Sequence, residues 1–358
     1  GLGLLHDSLE ALNPGDSLPG DTAFMLYDTF GFPIDLTRLI VSEQGFVVDE
    51  PGFESAMAAQ RERSRGDLGV AGTDAIYHRL AGEFGTTNFV GYPTAEGPGL
   101  EAVSEVIALV VDGADAGRLA TGAHGVALLK DTPFYGESGG QIGDAGTLSW
   151  DGGRATVHHT GKNEGLHTLE IQVIEGALTV GQRVEQRVDG DRRRSIRSHH
   201  SATHLLHSAL QEVLGEHCKQ AGSAVHPDRL RFDFTHFSAV TPNEICQIES
   251  RVNTWICTNA AVDTVVMDLD EAKEAGATAM FGEKYDEHVR TVRIGPESFE
   301  LCGGTHVDRA GDIGFFRIVS ESALAAGVRR IEAVTGLSAL ATVHADQERA
   351  IQTAALLK

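Results

Sequence analysis

The clearest hydrophobic pattern in the chain is helical and lies in residues 197–215, which read RSHHSATHLLHSALQEVLG. At 3.6 residues per turn, small and aliphatic side chains share one face and histidines share the opposite face. The first face holds Ala202, Leu205, Leu206, Ala209, Leu210 and Val213, and the second holds His200, His204, His207 and Gln211. The pattern therefore predicts a helix that packs through one face and carries chemistry on the other.

The first part of the chain, residues 1–64, has helical periodicity interrupted by punctuating residues. A helix over residues 35–44 is expected to end at Gly45, and Asp49 with Pro51 are typical start signals for another. The intervening apolar FGFP, residues 30–33, needs a packing partner. Residues 66–100 are rich in Gly, Thr and Pro, and we predict a connecting region with one short helix at residues 75–84.

From residue 103 the period changes to that of short strands separated by Gly, Asp and Asn. The predicted strands are residues 103–111, 125–130, 146–149, 155–159, 166–173 and 183–188. This rhythm is typical of an antiparallel barrel or sandwich. Within it, Gly139 and Gly140 in DTPFYGESGGQIGD require unusual backbone angles or close chain approach. A barrel corner and a loop that contacts nucleic acid both explain this glycine-rich segment, residues 131–144.

After residue 191, helices and strands alternate, which predicts an α+β layer. The strands are predicted at 230–234, 262–267, 289–294, 299–301 and 328–334, and the further helices at 242–258, 270–277 and from 337 onward. The fold class is thus α+β and multidomain. We expect a helical segment with a linker at 1–90, a β-barrel at 91–190, an α/β core at 191–338 and the start of a C-terminal helix at 339–358. The absence of an initial Met favours a piece of a longer protein.

Composition narrows the class of protein. The chain has 358 residues and is 41% hydrophobic, no apolar run approaches the roughly 20 residues of a membrane helix, and we expect a cytoplasmic location. Its four cysteines are irregularly spaced, which favours reduced thiols. Despite a formal charge of -22, arginines cluster at 192–194, 197 and 329–330. They either hold a nucleic-acid strand locally or pair with surface carboxylates.

Two histidines at i, i+4 can converge on one metal ion, although such a pair alone is weak evidence. Downstream, residues 300–307 read ELCGGTHV and add Cys302 and His306. A Cys/His₃ set suits Zn²⁺, one ion per chain. Helical spacing permits either His200 with His204 or His204 with His207. Four protein ligands are typical of a structural zinc, and Cys302 activated by His306 as a nucleophile is a weaker alternative.

Several motifs resemble the editing domain of bacterial alanyl-tRNA synthetases. They are HSATH at 200–204, KQAGS at 219–223, AMFGEKYDEHVR at 279–290, ELCGGTH at 300–306 and GVRRIEAVTG at 327–336. The YDTFGFPIDLT at 27–37 resembles the end of that family's helical tRNA-recognition domain, and PFYGESGGQIGD at 133–144 resembles its glycine-rich barrel motif. The likeness covers nearly the whole chain in the right order.

The resemblance implies that zinc is bound by His200, His204, Cys302 and His306, which leaves out His207. It implies hydrolysis of tRNA(Ala) mischarged with serine or glycine, while ATP-dependent ligation of alanine belongs to a domain that no region here resembles. It also implies that Gln220 faces the aminoacyl group.

Beside Gln220, Thr203 and Ser223 are candidates for reading the serine hydroxyl, and we assign candidate catalytic roles to Gln220 and Thr203. Lys284, Arg329 and Arg330 are candidate contacts for the phosphates of the acceptor end. His199 stands where the family commonly has Asn, and it lies off the ligand face. The alternative function is a zinc-stabilised tRNA-binding module without catalysis.

Overall fold

The computed structural model of the chain describes residues 16–28, 34–57, 71–95, 97–279 and 285–356, together with Leu5, Ser8, Leu9 and Leu12. The chain forms two compact units. One comprises residues 1–74, 235–239 and 322–329, and the other comprises residues 75–234, 240–321 and 330–358. The Cys and His residues of the expected metal site all belong to the second unit.

The first unit is mainly helical. Its described elements are strand β1 (Ser17–Leu18), the helices Gly20–Asp28 and Ile34–Glu43, strand β2 (Val47–Val48), and a helical stretch at residues 50–57. Strands β1 and β2 pair in parallel. Gly45 follows the second helix with φ 83°, which confirms the predicted stop. Residues 30–33, the FGFP sequence, lie outside the described residues.

The helix Ala71–Phe84, which belongs to the second unit from Ala75 onward, lies where the sequence predicts one. Ile76, Tyr77 and Leu80 on this helix pack against Ala108 and Leu128 of the barrel strands that follow. The apolar face of the helix thereby covers the outside of the barrel.

The barrel region contains strands of regular alternation. They are β3 (Asn88–Phe89), β4 (Glu101–Val111), β5 (Ala114–Ala116), β6 (Arg118–Ala120), β7 (His124–Leu129), β8 (Asp131–Thr132), β9 (Gly146–Trp150), β10 (Gly153–Asn163), β11 (Leu166–Glu175), β12 (Ala177–Thr179) and β13 (Arg183–Val188). The main sheet has the order β13-β9-β10-β11-β7-β4-β5, and β13 also pairs with β4. That extra pairing closes six antiparallel strands into the predicted barrel.

Turn chemistry and alternation explain why this stretch forms a barrel. Glu164 and Gly165 join β10 to β11 with φ of 50° and 78°, the two-residue turn that suits the twist of a hairpin. In β13, buried and exposed residues alternate without interruption, and Val184 and Val188 enter a core that also holds Phe134. The predicted strands are therefore confirmed because their period of two matches one buried face.

Beyond the barrel, helices and strands alternate as predicted. The elements are the helix Gly190–Leu214, called the histidine helix from here on, β14 (Gln220–Val225), β15 (Leu230–Thr235), the helix Pro242–Thr258, β16 (Val262–Asp268), the helix Leu269–Glu274, β17 (His288–Ile294), β18 (Ser298–Leu301), the 3₁₀ helix Ala310–Ile313, β19 (Phe316–Ala325), β20 (Val328–Thr335) and the helix Gly336–Leu356. Four strands form a sheet of order β14-β15-β20-β19, and three form a sheet of order β16-β17-β18.

The structure differs from the sequence pattern at several boundaries. The histidine helix begins at Gly190, earlier than predicted, because the Asp189 side chain accepts the backbone N–H groups of Asp191 and Arg192 as an N-cap. The helix Leu269–Glu274 ends three residues before the predicted end at residue 277, and Gly276, which follows it, has the positive φ of 86° that is common just after a helix.

Beyond the barrel, two strands, β14 and β19, are missing from the predicted set, and earlier in the chain the prediction also lacks the short strands β1, β2, β3, β5, β6, β8 and β12. Strand β14 reads QAGSAV, which lacks the branched and aromatic side chains typical of strands. In β19 only the first residues bury their side chains, and its outer part is exposed. Neither sequence shows an alternation that would mark a half-buried strand.

Among the described residues, no helix is both long enough and apolar enough to span a bilayer.

Candidate metal centre and adjoining cleft

The histidine helix presents two ligand side chains from a buried position. Its aliphatic face, including Leu205, Leu206 and Leu210, lies in the core with the sheet β14-β15-β20-β19 and the helix Pro242–Thr258, as the pattern predicts. His200 and His204 lie one turn apart on the other face and are buried. Packing of one face thus fixes the direction in which both imidazoles point.

The other two side chains come from the loop that follows β18, residues 302–306, called the CGGTH segment here. Gly304 is required by close packing, because a Cβ at this position would lie 2.0 Å from Cε1 and 2.4 Å from Nδ1 of His200. Gly303 has open space around it. The absence of a side chain at Gly304 lets the loop pass directly against the histidine helix.

The four side chains predicted as ligands form one cluster. One ligand atom from each of His200, His204, Cys302 and His306 lies within 4.8 Å of all the others. Cys302 Sγ is 3.4 Å from His200 Nε2 and 3.3 Å from His306 Nε2. One thiolate and three imidazoles are a donor set that suits tetrahedral Zn²⁺ well. The residues present therefore fit a zinc ion by their chemistry.

Oxygen atoms outside the cluster lie near the second nitrogen of each ring, within hydrogen-bonding distance for His200 and His306 and at ion-pair distance for His204. His200 Nδ1 is 2.7 Å from Gln141 Oε1, and His306 Nδ1 is 3.1 Å from Ser201 Oγ. His204 Nδ1 lies 3.5 Å from a carboxylate oxygen of Glu300. Metal-binding histidines commonly show this arrangement, because an outer partner at one ring nitrogen orients the other toward the ion.

Electrostatics in the cluster favour the thiolate. Burial raises the pKa of the Cys302 thiol, but His200, His306 and His204 together lower it by more, so that the pKa lies well below its ordinary value. Burial and the neighbouring His200 hold the pKa of His306 well below its usual range. Burial lowers the pKa of His204 as well, yet the Glu300 carboxylate and Cys302 together outweigh burial and raise the pKa to about 9. Metal binding would therefore release the proton that His204 carries.

His207, which spacing alone left as a competitor, lies outside the cluster. Its Nδ1 is 3.2 Å from Glu300 Oε1, and its Nε2 lies 3.3 Å from the Gln211 amide nitrogen, which donates to it. Glu300 thus bridges His204 and His207, and these two histidines lower the pKa of a carboxyl group that burial alone would raise. His207 serves as an outer partner of the cluster.

A cleft of about 310 Å³ adjoins the cluster. Its walls include Cys302, His200 and His204, and the polar residues Ser138, Lys162, Thr203, Gln220, Ser223 and Arg290. Three of the predicted substrate residues, Thr203, Gln220 and Ser223, therefore line the same cavity as the metal ligands. Thr203 Oγ1 donates to the His199 carbonyl at 2.9 Å, and the Gln220 amide donates to Ser223 Oγ at 3.2 Å.

The predicted phosphate contacts receive less support. Lys284 lies outside the described residues. Arg330 forms a two-pronged ion pair with Asp233, with distances of 2.7 and 2.9 Å, so its guanidinium is already engaged. Arg329 lies on β20. Neither arginine has yet been tested as a tRNA contact, and both remain predictions.

Two arginines in the first half of the histidine helix, Arg193 and Arg197, are used inside the protein. Arg193 is buried against Asp144, and Arg197 donates to the His306 carbonyl and to Asp308. Of the two explanations that the sequence left open, the structure favours pairing with carboxylates for these two arginines.

Sequence reasoning missed three residues that shape the site. Gln141 and Glu300 contact the ligand histidines, and Arg290 donates to the carbonyls of Cys302 and Gly304 while stacking on the Tyr92 ring. Glu300 left a signal, since it is a buried charge on the otherwise mostly apolar strand β18. Gln141 and Arg290 left none.

Comparison with known proteins gives the class first. Residues 1–192 match the family model of class II (A) tRNA synthetases, and residues 289–332 match the second additional domain of threonyl and alanyl tRNA synthetases. The chain therefore belongs to the class II (A) tRNA synthetases.

The individual relatives narrow the likeness. The chain is 48% identical over 364 residues to alanine--tRNA ligase of Myxococcus xanthus (strain DK1622), 47% identical over 372 residues to that of Ruegeria sp. (strain TM1040), and 49% identical over 360 residues to that of Shewanella loihica (strain ATCC BAA-1088 / PV-4). Each match covers 100% of this chain and 40 to 42% of the relative. The resemblance to alanyl-tRNA synthetases is confirmed, and the chain spans about 40% of the length of these relatives.

Proposed function

We propose that this chain is the editing part of an alanyl-tRNA synthetase and hydrolyses the ester of tRNA(Ala) mischarged with serine or glycine. ATP-dependent ligation of alanine is assigned to another part of the parent enzyme. The principal support is the cleft in which Thr203, Gln220 and Ser223 share one cavity with the Cys/His₃ cluster. A small cavity with a few convergent polar groups beside a metal-binding cluster is typical of an active site.

Polar side chains in the cleft account for a preference for serine over alanine. The Thr203 oxygen donates its proton to the His199 carbonyl and can accept a hydrogen bond from a seryl hydroxyl. An alanyl methyl group placed there would leave this acceptor unpaired, which costs about 1–3 kcal/mol. The same discrimination follows if Ser223, held by the Gln220 amide, contacts the hydroxyl instead.

The cluster residues His200, His204, Cys302 and His306 would hold zinc. Bound there, zinc supplies a Lewis acid beside the ester or fixes the shape of the cleft. Gln220 and Thr203, which line the same cleft, orient the aminoacyl group and the attacking water. Cytoplasmic tRNA(Ala) is the proposed partner, with its acceptor-end phosphates near Lys284, Arg329 and Arg330.

Single-turnover deacylation by this chain tests the proposal. Seryl-tRNA(Ala) is expected to lose its amino acid in the presence of the chain, alanyl-tRNA(Ala) is expected to persist, and a chelator or Cys302→Ala is expected to abolish the reaction. Cys246→Ala, at an exposed cysteine outside the cluster, is the matched control and should retain the activity. Equal hydrolysis of both esters would contradict the selectivity, and unchanged hydrolysis with Cys302→Ala would contradict the role of the cluster.

A second candidate is a zinc-stabilised tRNA-binding module without hydrolysis. The count of four protein ligands favours it, because catalytic zinc usually keeps one position for water. This alternative predicts zinc-dependent binding of tRNA with no deacylation of any ester. Binding and deacylation measured on the same preparation distinguish the two functions.

A further inference from the structure

We propose that Gln141 is a positioning residue for the metal centre, which holds His200 in the tautomer and orientation that direct Nε2 into the Cys/His₃ cluster. The inference rests on the metal site of the proposed function and assigns a role to the glycine-rich segment, which otherwise reads as a barrel corner. The side chain of Gln141 does not touch the substrate cleft but acts through His200 and the CGGTH segment.

The glycine-rich segment places Gln141 by close contact with β14. Gly139 and Gly140 take φ of 57° and 79°, which confirms the predicted unusual backbone. A Cβ on Gly140 would lie 2.6 Å from the Ser223 carbonyl oxygen, so no larger residue fits without movement. The backbone of Val225 donates to the Gly140 carbonyl at 2.7 Å. The barrel corner is thereby fixed against the strand that carries Gln220 and Ser223.

One buried amide connects both halves of the cluster. Gln141 is completely buried, and its Oε1 lies 2.7 Å from His200 Nδ1 and 2.9 Å from the backbone nitrogen of Thr305. Its Nε2 donates to Thr305 Oγ1 at 3.0 Å. A single side chain thus links the histidine helix to the loop that carries Cys302 and His306.

Proton accounting fixes the tautomer of His200. The Thr305 backbone N–H can only donate, so the atom that faces it must be the oxygen of the Gln141 amide. The same oxygen faces His200 Nδ1, which must therefore carry a proton and donate. In the neutral ring, Nε2 then bears the lone pair, and this nitrogen is 3.4 Å from Cys302 Sγ. Without Gln141, either ring nitrogen could hold the proton and the ring could turn.

Zinc affinity, measured by competition with a chromophoric chelator on the full chain, tests this role. Gln141→Met removes the acceptor at similar size and is expected to weaken zinc binding by about 10- to 100-fold. Gln141→Glu keeps an acceptor for both His200 and Thr305, and Thr305 can turn its hydroxyl to donate, so affinity within about threefold of the parent chain is expected.

Gln186→Met is the matched control. Gln186 is another buried barrel glutamine, whose Nε2 donates to the Asp131 carbonyl and whose Oε1 accepts from Thr132. Because its partners lie outside the metal centre, its loss should destabilise the barrel without changing zinc affinity. The visible spectrum of the Co²⁺-substituted chain is a second readout, which should change with Gln141→Met and stay unchanged with Gln186→Met.

The outcomes separate the positioning role from the metal site itself. A parent chain that binds no zinc would refute the metal site and the proposed function together. A parent chain that binds zinc, with Gln141→Met within about threefold of it, would refute only the role of Gln141. If Gln141→Met does not fold, Gln141→Glu decides: retained affinity supports the role, and a loss as large as that of Cys302→Ala overturns it.

Discussion

The buried ion pair between Arg193 and Asp144 allows a quantitative prediction. Only 3% of the Arg193 side chain and none of the Asp144 side chain is exposed. Arg193 also donates to the carbonyls of Gly91 and Pro133, and Asp144 also accepts the Tyr135 backbone N–H at 2.7 Å. The pair joins the start of the histidine helix to the glycine-rich segment. Asp144→Asn preserves the shape but replaces one acceptor oxygen with an NH₂ group and removes the negative charge.

The expected cost is about 3–5 kcal/mol, the usual effect of stranding one member of a buried pair. Its parts agree with this sum. Losing a charge-assisted hydrogen bond costs about 1.5–3 kcal/mol, and leaving a guanidinium N–H buried without an acceptor costs a further 1–3 kcal/mol. With its oxygen at the Oδ2 position, the asparagine could still accept from the Tyr135 backbone and from Arg193 Nη2, but its NH₂ group would then replace Oδ1 and face Arg193 Nε, so donor would meet donor at that atom.

Urea unfolding followed by tryptophan fluorescence measures this cost. Both tryptophans, Trp150 and Trp255, lie in the unit that contains the pair, so the signal reports on the correct unit. Glu101→Gln is the matched control, since Glu101 pairs with Arg187 on the barrel surface, where both side chains are well exposed, and its loss should cost less than about 1 kcal/mol.

A double variant adds a second check on the Arg193–Asp144 pair. Asp144→Asn combined with Arg193→Met should cost less than the sum of the two single variants, because each single change already removes the interaction between these two side chains. If Asp144→Asn lowered the free energy of unfolding by less than about 1 kcal/mol, the reasoning would be refuted, because a loss that small is typical of an ion pair exposed to water.

Three further predictions concern the site and its surroundings. Gly304→Ala should reduce zinc affinity at least about tenfold because its Cβ would displace the His200 ring, whereas Gly303→Ala should leave affinity unchanged; equal effects would contradict the packing argument. Thr203→Val should slow single-turnover deacylation of seryl-tRNA(Ala) by about 3- to 10-fold and spare glycyl-tRNA(Ala), which has no hydroxyl to read; parallel slowing of both would exclude hydroxyl recognition by this residue. Burial lowers the pKa of His167 below its ordinary 6.5, so below pH 6.5 the unfolded chain binds a proton at this residue that the folded chain does not, and the free energy of unfolding falls as the pH drops. His167→Asn should reduce this fall in the free energy of unfolding by up to about 1.4 kcal/mol per pH unit. The measurement is the urea midpoint at pH 7.5 and 5.5, and an equal shift of the midpoint in the parent chain and the variant would contradict the prediction.

The sequence predicted the elements whose packing repeats along the chain. The histidine helix and the barrel strands each bury one regular face, so the period of 3.6 or 2 was visible in the residues alone. Strand β14 was invisible because its small residues show no such period, and it is held by the glycine-rich segment, which contacts it from outside the four-stranded sheet. The early start of the histidine helix depended on Asp189, a single capping residue.

The site was predictable to a smaller extent. Helical spacing alone left His200/His204 and His204/His207 equally open, and the resemblance to a family made the choice between them. The structure brings His200 and His204 to the cluster and gives His207 to Glu300. The role of Gln141 could not be predicted, because its contacts with His200 and Thr305 span 59 and 164 residues and no sequence spacing indicates which distant residue a glutamine contacts.

The sequence distance within the metal centre has a consequence for how the protein is made. His200 and Cys302 are separated by 102 residues, and Gln141 and Thr305 by 164. Contacts between residues so far apart in the sequence form slowly in folding, since the long segment between the two residues must first be closed into a loop. During synthesis, the barrel and the paired imidazoles leave the ribosome well before the thiol does. A nascent chain would therefore offer a metal ion only two of the four cluster side chains, and the proposed tight binding of zinc would be postponed until Cys302 and His306 have emerged.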